Sequence, residues 1–281
     1  VLYLKGLWRQ TSLEAYFWKK RNPNKILIVC PAGMLQPTPL QNKKFLKLTS
    51  IFLIEKKLFK KCDILHTVSL LEKKYIMESR YKFKKIVFIP EGLPKNKLKI
   101  TRKTKFSKKL VSISRIAPIK GLEILLAACK NIDFNGWKIL IYGNGSEEYI
   151  NKLKKIIINN DLKENIELKG AVFNEDKCKV LSDASAFILP SYSESFGIAI
   201  AEAMFFGLPI ITTTKTPWKV IKIKNLGWFV NPEKEELVRA LQNLFNSSEK
   251  NLLITGNRAK LYISKKYDLM FTSKQMKEEI I

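Results

Sequence analysis

Apolar, β-branched runs alternate with amphipathic stretches along almost the whole chain of 281 residues. Short apolar runs bounded by turn residues indicate buried strands, and helical patterns between them indicate the crossovers that join parallel strands. We therefore expect an α/β fold with parallel sheets. The predicted strands are residues 26–30, 64–67, 86–89, 110–114, 137–142, 165–169, 186–189 and 209–212.

Between residues 91 and 109 this alternation stops, and the sequence becomes polar, basic and proline-containing. We interpret this stretch as a linker between two domains, because the chain is also longer than one typical domain. The prediction is a partial first domain over 1–95, a complete second domain over 96–255, and a helical tail over 256–281 that packs back toward the first. Helices are predicted at about 41–61, 69–79, 119–130, 146–159, 174–183, 198–206 and 233–247.

The composition is that of a soluble globular protein, with 46% hydrophobic residues and no apolar run of about 18 residues. The four cysteines lack the paired spacing of a zinc site or a disulfide framework. We therefore expect a cytoplasmic protein in a reducing environment.

A formal net charge of +26, carried almost entirely by lysine, favours anionic partners. The abundance of lysine, isoleucine and asparagine also fits an AT-rich genome. No nucleic-acid-binding motif accompanies the charge, so no specific nucleic acid is expected as a partner. Phospholipid headgroups and phosphorylated sugars are the better candidates.

The predicted helix at 41–61 is basic and amphipathic, with apolar residues largely on one side. Such a helix can lie on an anionic membrane surface, which would make the protein peripheral at the inner face of the membrane. Alternatively, it packs on the core of the first domain while its lysines are merely solvated. The apolar residues are Phe45, Leu48, Phe52, Leu58 and Phe59.

The segment from Pro190 to Pro209, PSYSESFGIAIAEAMFFGLP, carries the strongest chemical signal. Residues 198–206 are apolar except Glu202, which predicts a buried helix. A buried carboxylate needs hydrogen-bond donors, and Glu202 is expected to reach back toward the loop that carries Glu194. The helix start offers free N–H groups to an anion. Two carboxylates beside a phosphate site predict a ligand with both hydroxyl and phosphate groups, such as a nucleotide sugar.

Taken singly, Glu202 could complement the helix dipole and Glu194 could be a capping residue. The whole segment, however, resembles the signature of family-four retaining glycosyltransferases of the GT-B fold, PSxxESFGIxxxEAMxxGxPII. The resemblance implies two Rossmann-like domains that face a cleft. Besides the two glutamates, the chain keeps Phe196, Gly197, Ile198, Ala203, Met204, Gly207 and Pro209.

A second motif, SRIAPIKG at residues 114–121, begins at the carboxyl end of a predicted strand, where α/β sheets bind ligands. In a chain that uses lysine by default, Arg115 suggests bidentate binding of phosphate. The alternative is a structural ion pair. The motif resembles the family's GRLxxxKG, which implies that Arg115 and Lys120 bind the donor diphosphate.

Two further turns follow predicted strands. Gly143 lies in a GxG sequence, which is either a tight turn or, as the family resemblance implies, part of the donor site. Val172 falls where relatives place the nucleobase.

The amino-terminal region resembles segments that lie well inside the first domain of the family. LKGLW at 4–8 is one of them, and PAGMLQPTPL at 31–40 is similar to PHGMLxPxxL. Ala32 replaces the usual histidine, Lys5 stands where relatives often have another, and the family's glycine-rich front loop is absent. We therefore expect a chain truncated at the amino terminus. The single histidine, His66, is expected to be a buried structural residue.

The resemblance implies a retaining glycosyltransferase that moves a hexosyl group from a nucleotide diphosphate sugar to a saccharide or lipid-linked acceptor, in cell-surface polysaccharide or lipopolysaccharide synthesis. We expect this enzyme to require no metal or other cofactor. The alternatives are a non-catalytic remnant that binds nucleotide sugar or a partner, and a basic nucleic-acid-binding domain. The expected catalytic residues are Glu194, Arg115 and Lys120, and the expected donor-binding residues are Glu202, Phe196, Gly197, Ile198, Gly143 and Val172.

Overall fold

The computed structural model describes residues 1–37, 54–95, 98 and 106–280. These residues divide into two compact units. The first comprises the described residues of Val1–Gly92, Ser193–Phe196 and Met270–Ile281, and the second those of Leu93–Tyr192 and Gly197–Leu269.

Strands and helices alternate through both units, as the hydrophobic pattern predicts. The strands are β1 (Leu2–Lys5), β2 (Leu27–Cys30), β3 (Ile64–Thr67), β4 (Ile86–Phe88), β5 (Lys109–Ile113), β6 (Lys138–Tyr142), β7 (Ile166–Lys169), β8 (Ala186–Leu189), β9 (Ile210–Thr213) and β10 (Gly227–Val230). The helices are α1 (Gln10–Arg21), α2 (Lys56–Lys61), α3 (Leu70–Met77), α4 (Leu122–Cys129), α5 (Glu147–Asn159), α6 (Asn174–Asp183), α7 (Ile198–Phe205), α8 (Val220–Ile223), α9 (Lys234–Phe245), α10 (Glu249–Lys266) and α11 (Leu269–Ile280).

The first unit is built on a parallel sheet in the order β1-β2-β3-β4. Successive side chains point to opposite faces of this sheet, so each face has its own core. One core joins Leu27 and Leu65 to α1 and α2. The other joins Ile28 and Ile64 to Ile280 near the end of α11. The sheet is thus covered by helices on both faces, as parallel sheets require.

The second unit is built on a parallel sheet in the order β10-β9-β8-β5-β6-β7. Its largest apolar cluster joins the central strands to α4, α5 and α9. Trp137, which is 1% exposed, stacks on Phe245 with 5.5 Å between ring centroids. The strand order reverses between β5 and β8, which makes this sheet doubly wound.

The α/β class with parallel sheets is confirmed, and each predicted strand is found within one or two residues of its expected position. The sequence missed β1 and β10. Each is a four-residue strand at an edge of its sheet, and each contains a three-residue apolar run, LYL in β1 and WFV in β10, that the prediction overlooked. The expectation of only three strands in the first unit was therefore wrong, since the described residues form four.

The predicted linker and tail boundaries differ from the units of the structure. Leu93, inside the predicted linker, is fully buried, and its N–H donates to the Tyr267 carbonyl at 2.8 Å. Residues 256–269, predicted to belong to the tail, group with the second unit. The reason is that α10 continues through position 256 and packs against α7.

Most of the basic amphipathic helix predicted at 41–61, namely residues 41–53, lies outside the described residues. Its carboxyl-terminal part forms α2, where Leu58 and Phe59 are 0% and 3% exposed in the core of the first unit. That part fits the core-packing alternative. In the part of the chain that the structure describes, no helix is both long and apolar enough to cross a bilayer.

Gly256 in α10 lies against Gly207, which follows α7. A Cβ atom at position 256 would come within 1.9 Å of the Gly207 carbonyl oxygen. Gly256→Ala is therefore expected to lower the unfolding free energy by about 1–3 kcal/mol, although alanine favours helices elsewhere. Thermal unfolding measures the effect. The exposed neighbour Asn257 supplies the control, because Asn257→Ala should be neutral or slightly stabilising. A raised melting temperature for Gly256→Ala would contradict this packing.

Candidate functional site

The candidate site of the second unit lies at the carboxyl edge of its sheet, where the strand order reverses. In doubly wound sheets the loops that follow the two strands at such a point diverge and leave a crevice. Here those loops are residues 114–121 after β5 and, within the second unit, residues 190–192 after β8. Residues 143–146 after β6 and 170–173 after β7 continue the same edge. The fold therefore brings the loops of Arg115, Lys120, Gly143 and Val172 to one edge, together with the start of α7.

The loops after β5 and β6 are held together by backbone contacts. The N–H of Ile116 donates to the Asn144 carbonyl at 2.7 Å. A Cβ atom at Gly143 would lie 1.8 Å from the Ser114 oxygen, and one at Gly145 would lie 2.1 Å from the Ile116 oxygen. The GxG sequence is thus explained by close backbone approach, as the tight-turn interpretation holds. A direct role of Gly143 in ligand binding stays a prediction.

A similar contact joins the loops after β5 and β8. Gly121 has a φ of 69°, and a Cβ atom there would lie 2.1 Å from the Pro190 oxygen. The N–H of Tyr192 donates to the Ile119 carbonyl at 2.8 Å. The two loops that border the crevice are therefore fixed with respect to each other by main-chain geometry.

Arg115 is exposed, and its guanidinium makes no ion pair within the residues that the structure describes. The structural ion pair considered from the sequence is therefore not found among them. Lys120 is half-buried at the end of a single 3₁₀ turn, Pro118–Lys120. One cation at this edge is thus open to a ligand.

Helix α7 begins without a side-chain cap. Its first residue follows Gly197, which adopts a left-handed conformation with φ of 81°. Within the described ranges, the N–H groups of Ile198 and Ala199 have no backbone acceptor, whereas that of Ile200 donates to the Gly197 carbonyl at 2.9 Å. Free N–H groups at a helix start, reinforced by the helix dipole, bind anions.

Glu202 is 8% exposed and forms an ion pair with Lys177 of α6, with 2.5 Å between Nζ and Oε1. The buried carboxylate expected from the sequence is therefore neutralised by a cation rather than by the helix dipole alone. Lys177 was not predicted, because in a chain with 51 lysines and arginines no single lysine stands out.

Glu194 and Phe196 belong to the short segment that groups with the first unit, and both are buried. Gln36 holds this segment through both atoms of its amide. Its Nε2 donates to the Glu194 carbonyl at 3.1 Å, and its Oε1 accepts from the Ser193 hydroxyl at 2.5 Å. Gln36 is 2% exposed and was also missed from the sequence. Its position inside the PAGMLQ segment was the available signal.

The loop that contains Ala32 is held by a buried carboxylate. Ala32 and Gly33 both have positive φ, 51° and 82°. The Gly33 N–H donates to Glu72 at 2.5 Å, and the Val68 N–H donates to the other oxygen at 2.9 Å. Burial raises the pKa of Glu72, although the two backbone donors oppose the shift. A Cβ atom on Gly33 would lie 2.7 Å from that of Ser195, so glycine is required there.

His66 is buried in β3, as predicted, at 4% exposure. Its Nε2 lies 2.7 Å from the Ile89 carbonyl, which can only accept, so Nε2 carries the proton. Nδ1 then accepts from the Tyr3 hydroxyl at 2.7 Å. Burial lowers the pKa of His66, which favours the neutral ring.

Comparison with known proteins identifies the family. The sequence model of the glycosyl transferases group 1 matches residues 95–260, more than half of the chain. The chain therefore belongs to this glycosyltransferase family, and its architecture is the GT-B fold.

Individual relatives are distant. The amylovoran biosynthesis glycosyltransferase AmsK of Erwinia amylovora is 28% identical over 167 residues, which cover 52% of this chain and 40% of AmsK. The chain spans about half, or less, of the length of the curated relatives it matches.

Solved structures of other proteins share the fold. Sucrose-phosphate synthase from Thermosynechococcus elongatus superposes with a TM-score of 0.83 at 18% identity, covering 98% of this chain and 71% of that one. Anabaena HepE in complex with UDP and glucose gives a TM-score of 0.81 at 16% identity, covering 99% and 77%.

The close approach of Gly143 to the Ser114 carbonyl can be tested by substitution, with Gly170 as the control position. Gly143→Ala should lower the stability of the second unit by about 1–3 kcal/mol, because the new methyl group collides with the Ser114 carbonyl. Gly170→Ala is the matched control, since nothing lies within 4 Å of a Cβ atom there. Thermal unfolding of the two variants should separate them clearly. Equal melting temperatures would show that the two loops do not approach as closely as described.

Proposed function

We propose that the protein is a retaining glycosyltransferase that moves a hexosyl group from a nucleotide diphosphate sugar to a saccharide or lipid-linked acceptor. The observation that carries this proposal is the set of groups at one sheet edge of the second unit: an open arginine, an uncapped helix start and a buried carboxylate. Together they suit a ligand with both phosphate and hydroxyl groups. The amylovoran-related function in the name of AmsK supports a role in cell-surface polysaccharide or lipopolysaccharide synthesis.

In the proposed reaction the bond between the anomeric carbon and the diphosphate breaks, and charge develops on the leaving diphosphate. Arg115, Lys120 and the N–H groups at Gly197 and Ile198 would stabilise that charge. Groups fixed in place before the reaction are effective because they need not reorganise. Two cations and a helix start can serve where other enzymes use a divalent metal, so we propose a metal-independent reaction without a cofactor.

The remaining roles follow from position and from the family resemblance. Glu202 would bind the ribose hydroxyls, and Glu194 would orient the donor sugar. Phe196, Gly143 and Val172 would complete the donor site. The complexes of HepE with UDP and with UDP-glucose support UDP-sugars as the first donors to test.

A second candidate function is that of a non-catalytic protein that binds nucleotide sugar without turnover. The observation in its favour is Ala32, which offers only a methyl group where the family's histidine is expected. Association with an anionic membrane surface is compatible with either function and rests on the net charge of +26. We propose no specific nucleic-acid partner.

Calorimetry with UDP and GDP tests the donor site. We expect one of them to bind with an affinity in the micromolar to millimolar range, on the order of −4 to −8 kcal/mol. Turnover of the matching nucleotide sugar is then measured as the release of the nucleoside diphosphate. Binding with turnover supports the transferase, whereas binding without turnover supports the second candidate. Absence of binding by either nucleotide at several millimolar would refute both.

Arg115→Lys tests whether the planar guanidinium matters. The variant keeps the charge but loses bidentate contact, so nucleoside diphosphate affinity should fall by about tenfold. Arg239→Lys is the control, because Arg239 is an exposed residue of α9 that pairs with Glu236 on the same helix. Its affinity should match that of the parent. If Arg115→Lys also matches the parent, Arg115 acts only as a point charge or does not contact the ligand.

A further inference from the structure

The ion pair between Lys177 and Glu202 leaves hydrogen-bonding groups unused on both residues. Glu202 Oε1 is engaged by Lys177 Nζ at 2.5 Å, and Oε2 has no hydrogen-bond donor among the described residues. An ammonium group has three N–H donors, of which this contact uses one. The pair therefore offers one free acceptor and further donors side by side.

Both members of the pair are partly reachable from solvent. The Lys177 side chain is 24% exposed and that of Glu202 is 10% exposed. The desolvation cost of a fully enclosed ion pair is offset only where further hydrogen bonds satisfy its remaining lone pairs and protons, and no such bonds to this pair are found among the described residues. The lysine is the more exposed partner, so the unused N–H groups of its ammonium are the more accessible to a ligand.

Lys177 is placed at the same sheet edge as the proposed donor site. Helix α6 begins at Asn174, directly after the loop of residues 170–173 that follows β7, and Lys177 lies within its first turn. Side chains on a helix tilt toward its amino terminus, so Lys177 leans toward that loop. The ion pair thus links helix α6, which follows the loop predicted to face the nucleobase, with the helix that carries Glu202.

A vicinal diol matches the pair. Each hydroxyl group can donate one hydrogen bond and accept another. One hydroxyl can donate to Glu202 Oε2, while the oxygen of the other accepts from the Lys177 ammonium. Because both contacts involve charged groups, each is stronger than a contact between neutral groups.

We propose that Lys177 is a donor-binding residue which, together with Glu202, recognises the 2′,3′-diol of the nucleotide ribose. This inference rests on the proposed function, in which Glu202 binds the ribose hydroxyls. The inference adds a positively charged residue, Lys177, to that subsite.

Calorimetry on the full chain compares UDP and GDP with their 2′,3′-dideoxy counterparts. The parent should bind the ribonucleotide more tightly. Lys177→Met should weaken ribonucleotide binding by about tenfold and leave the dideoxy nucleotide unaffected, so that the ratio of the two affinities shrinks. Lys177→Arg, which keeps donors and charge, should retain most of that ratio.

Lys179→Met is the matched control. Lys179 lies on the same helix, is 69% exposed and pairs with Asp176 at 3.3 Å. The Lys179→Met variant removes the same charge without touching Glu202, so its ratio of ribonucleotide to dideoxynucleotide affinity should equal that of the parent. Affinity is measured per folded molecule, with the folded fraction taken from thermal unfolding, which separates a loss of stability from a loss of recognition.

Two results would overturn this inference and leave the proposed function standing. One is a ratio of ribonucleotide to dideoxynucleotide affinity in Lys177→Met equal to that of the parent. The other is an equal loss of affinity for the ribonucleotide and the dideoxy nucleotide. The second result would mean that Lys177 acts through its charge on the diphosphate. If the parent binds none of the nucleotides, the proposed function itself fails and the inference falls with it.

Discussion

Close main-chain approach at the carboxyl edge of the second sheet is the constraint on which the candidate site depends. At three positions a glycine lies so near a carbonyl that a Cβ atom would come within 1.8 to 2.1 Å of its oxygen: Gly121, Gly143 and Gly145. Any side chain there would push the loops after β5, β6 and β8 apart. The backbone of the loop that carries Arg115 is thus fixed relative to Pro190 and Tyr192 after β8. Groups held in this way by the main chain need little reorganisation, which suits an electrostatic role.

The structure stabilises two buried glutamates in different ways, and the difference bears on function. Glu72 is 0% exposed, and backbone N–H groups of Gly33 and Val68 occupy both of its oxygens. Such a carboxylate fixes a loop and has little capacity for a ligand. Glu202 is held instead by a single, partly exposed lysine on one oxygen. Burial of either carboxylate carries a desolvation cost, but of these two only Glu202 keeps an oxygen for a hydroxylated ligand.

Much of this could be predicted from the sequence because local patterns determine it. Apolar runs located the interior strands, and the strand-then-loop pattern placed Arg115, Gly143 and Val172 at one sheet edge. The edge strands β1 and β10 were not predicted, although LYL and WFV in them are short apolar runs. Lys177 and Gln36 were not predicted as site residues for a physical reason. Their partners lie 25 and 157 or more residues away in sequence, so only the folded chain brings these groups together.

The two candidate functions make the same demands on the second unit and different demands on the first. The second unit contains all of the groups proposed to bind the nucleotide except Glu194 and Phe196: Arg115, Lys120, Gly143, Val172, Lys177, Glu202 and the start of α7. The loop of Ala32 belongs to the first unit, where Glu72 holds it firmly although no imidazole is present. A precisely held loop is expected where the backbone itself has a task. If that task is to position the Ser193–Phe196 segment, which Gln36 and Gly33 both contact, then loss of the histidine need not abolish transfer. Glu194 would remain placed by its main chain, and the distinction between the two functions would depend on this segment rather than on position 32.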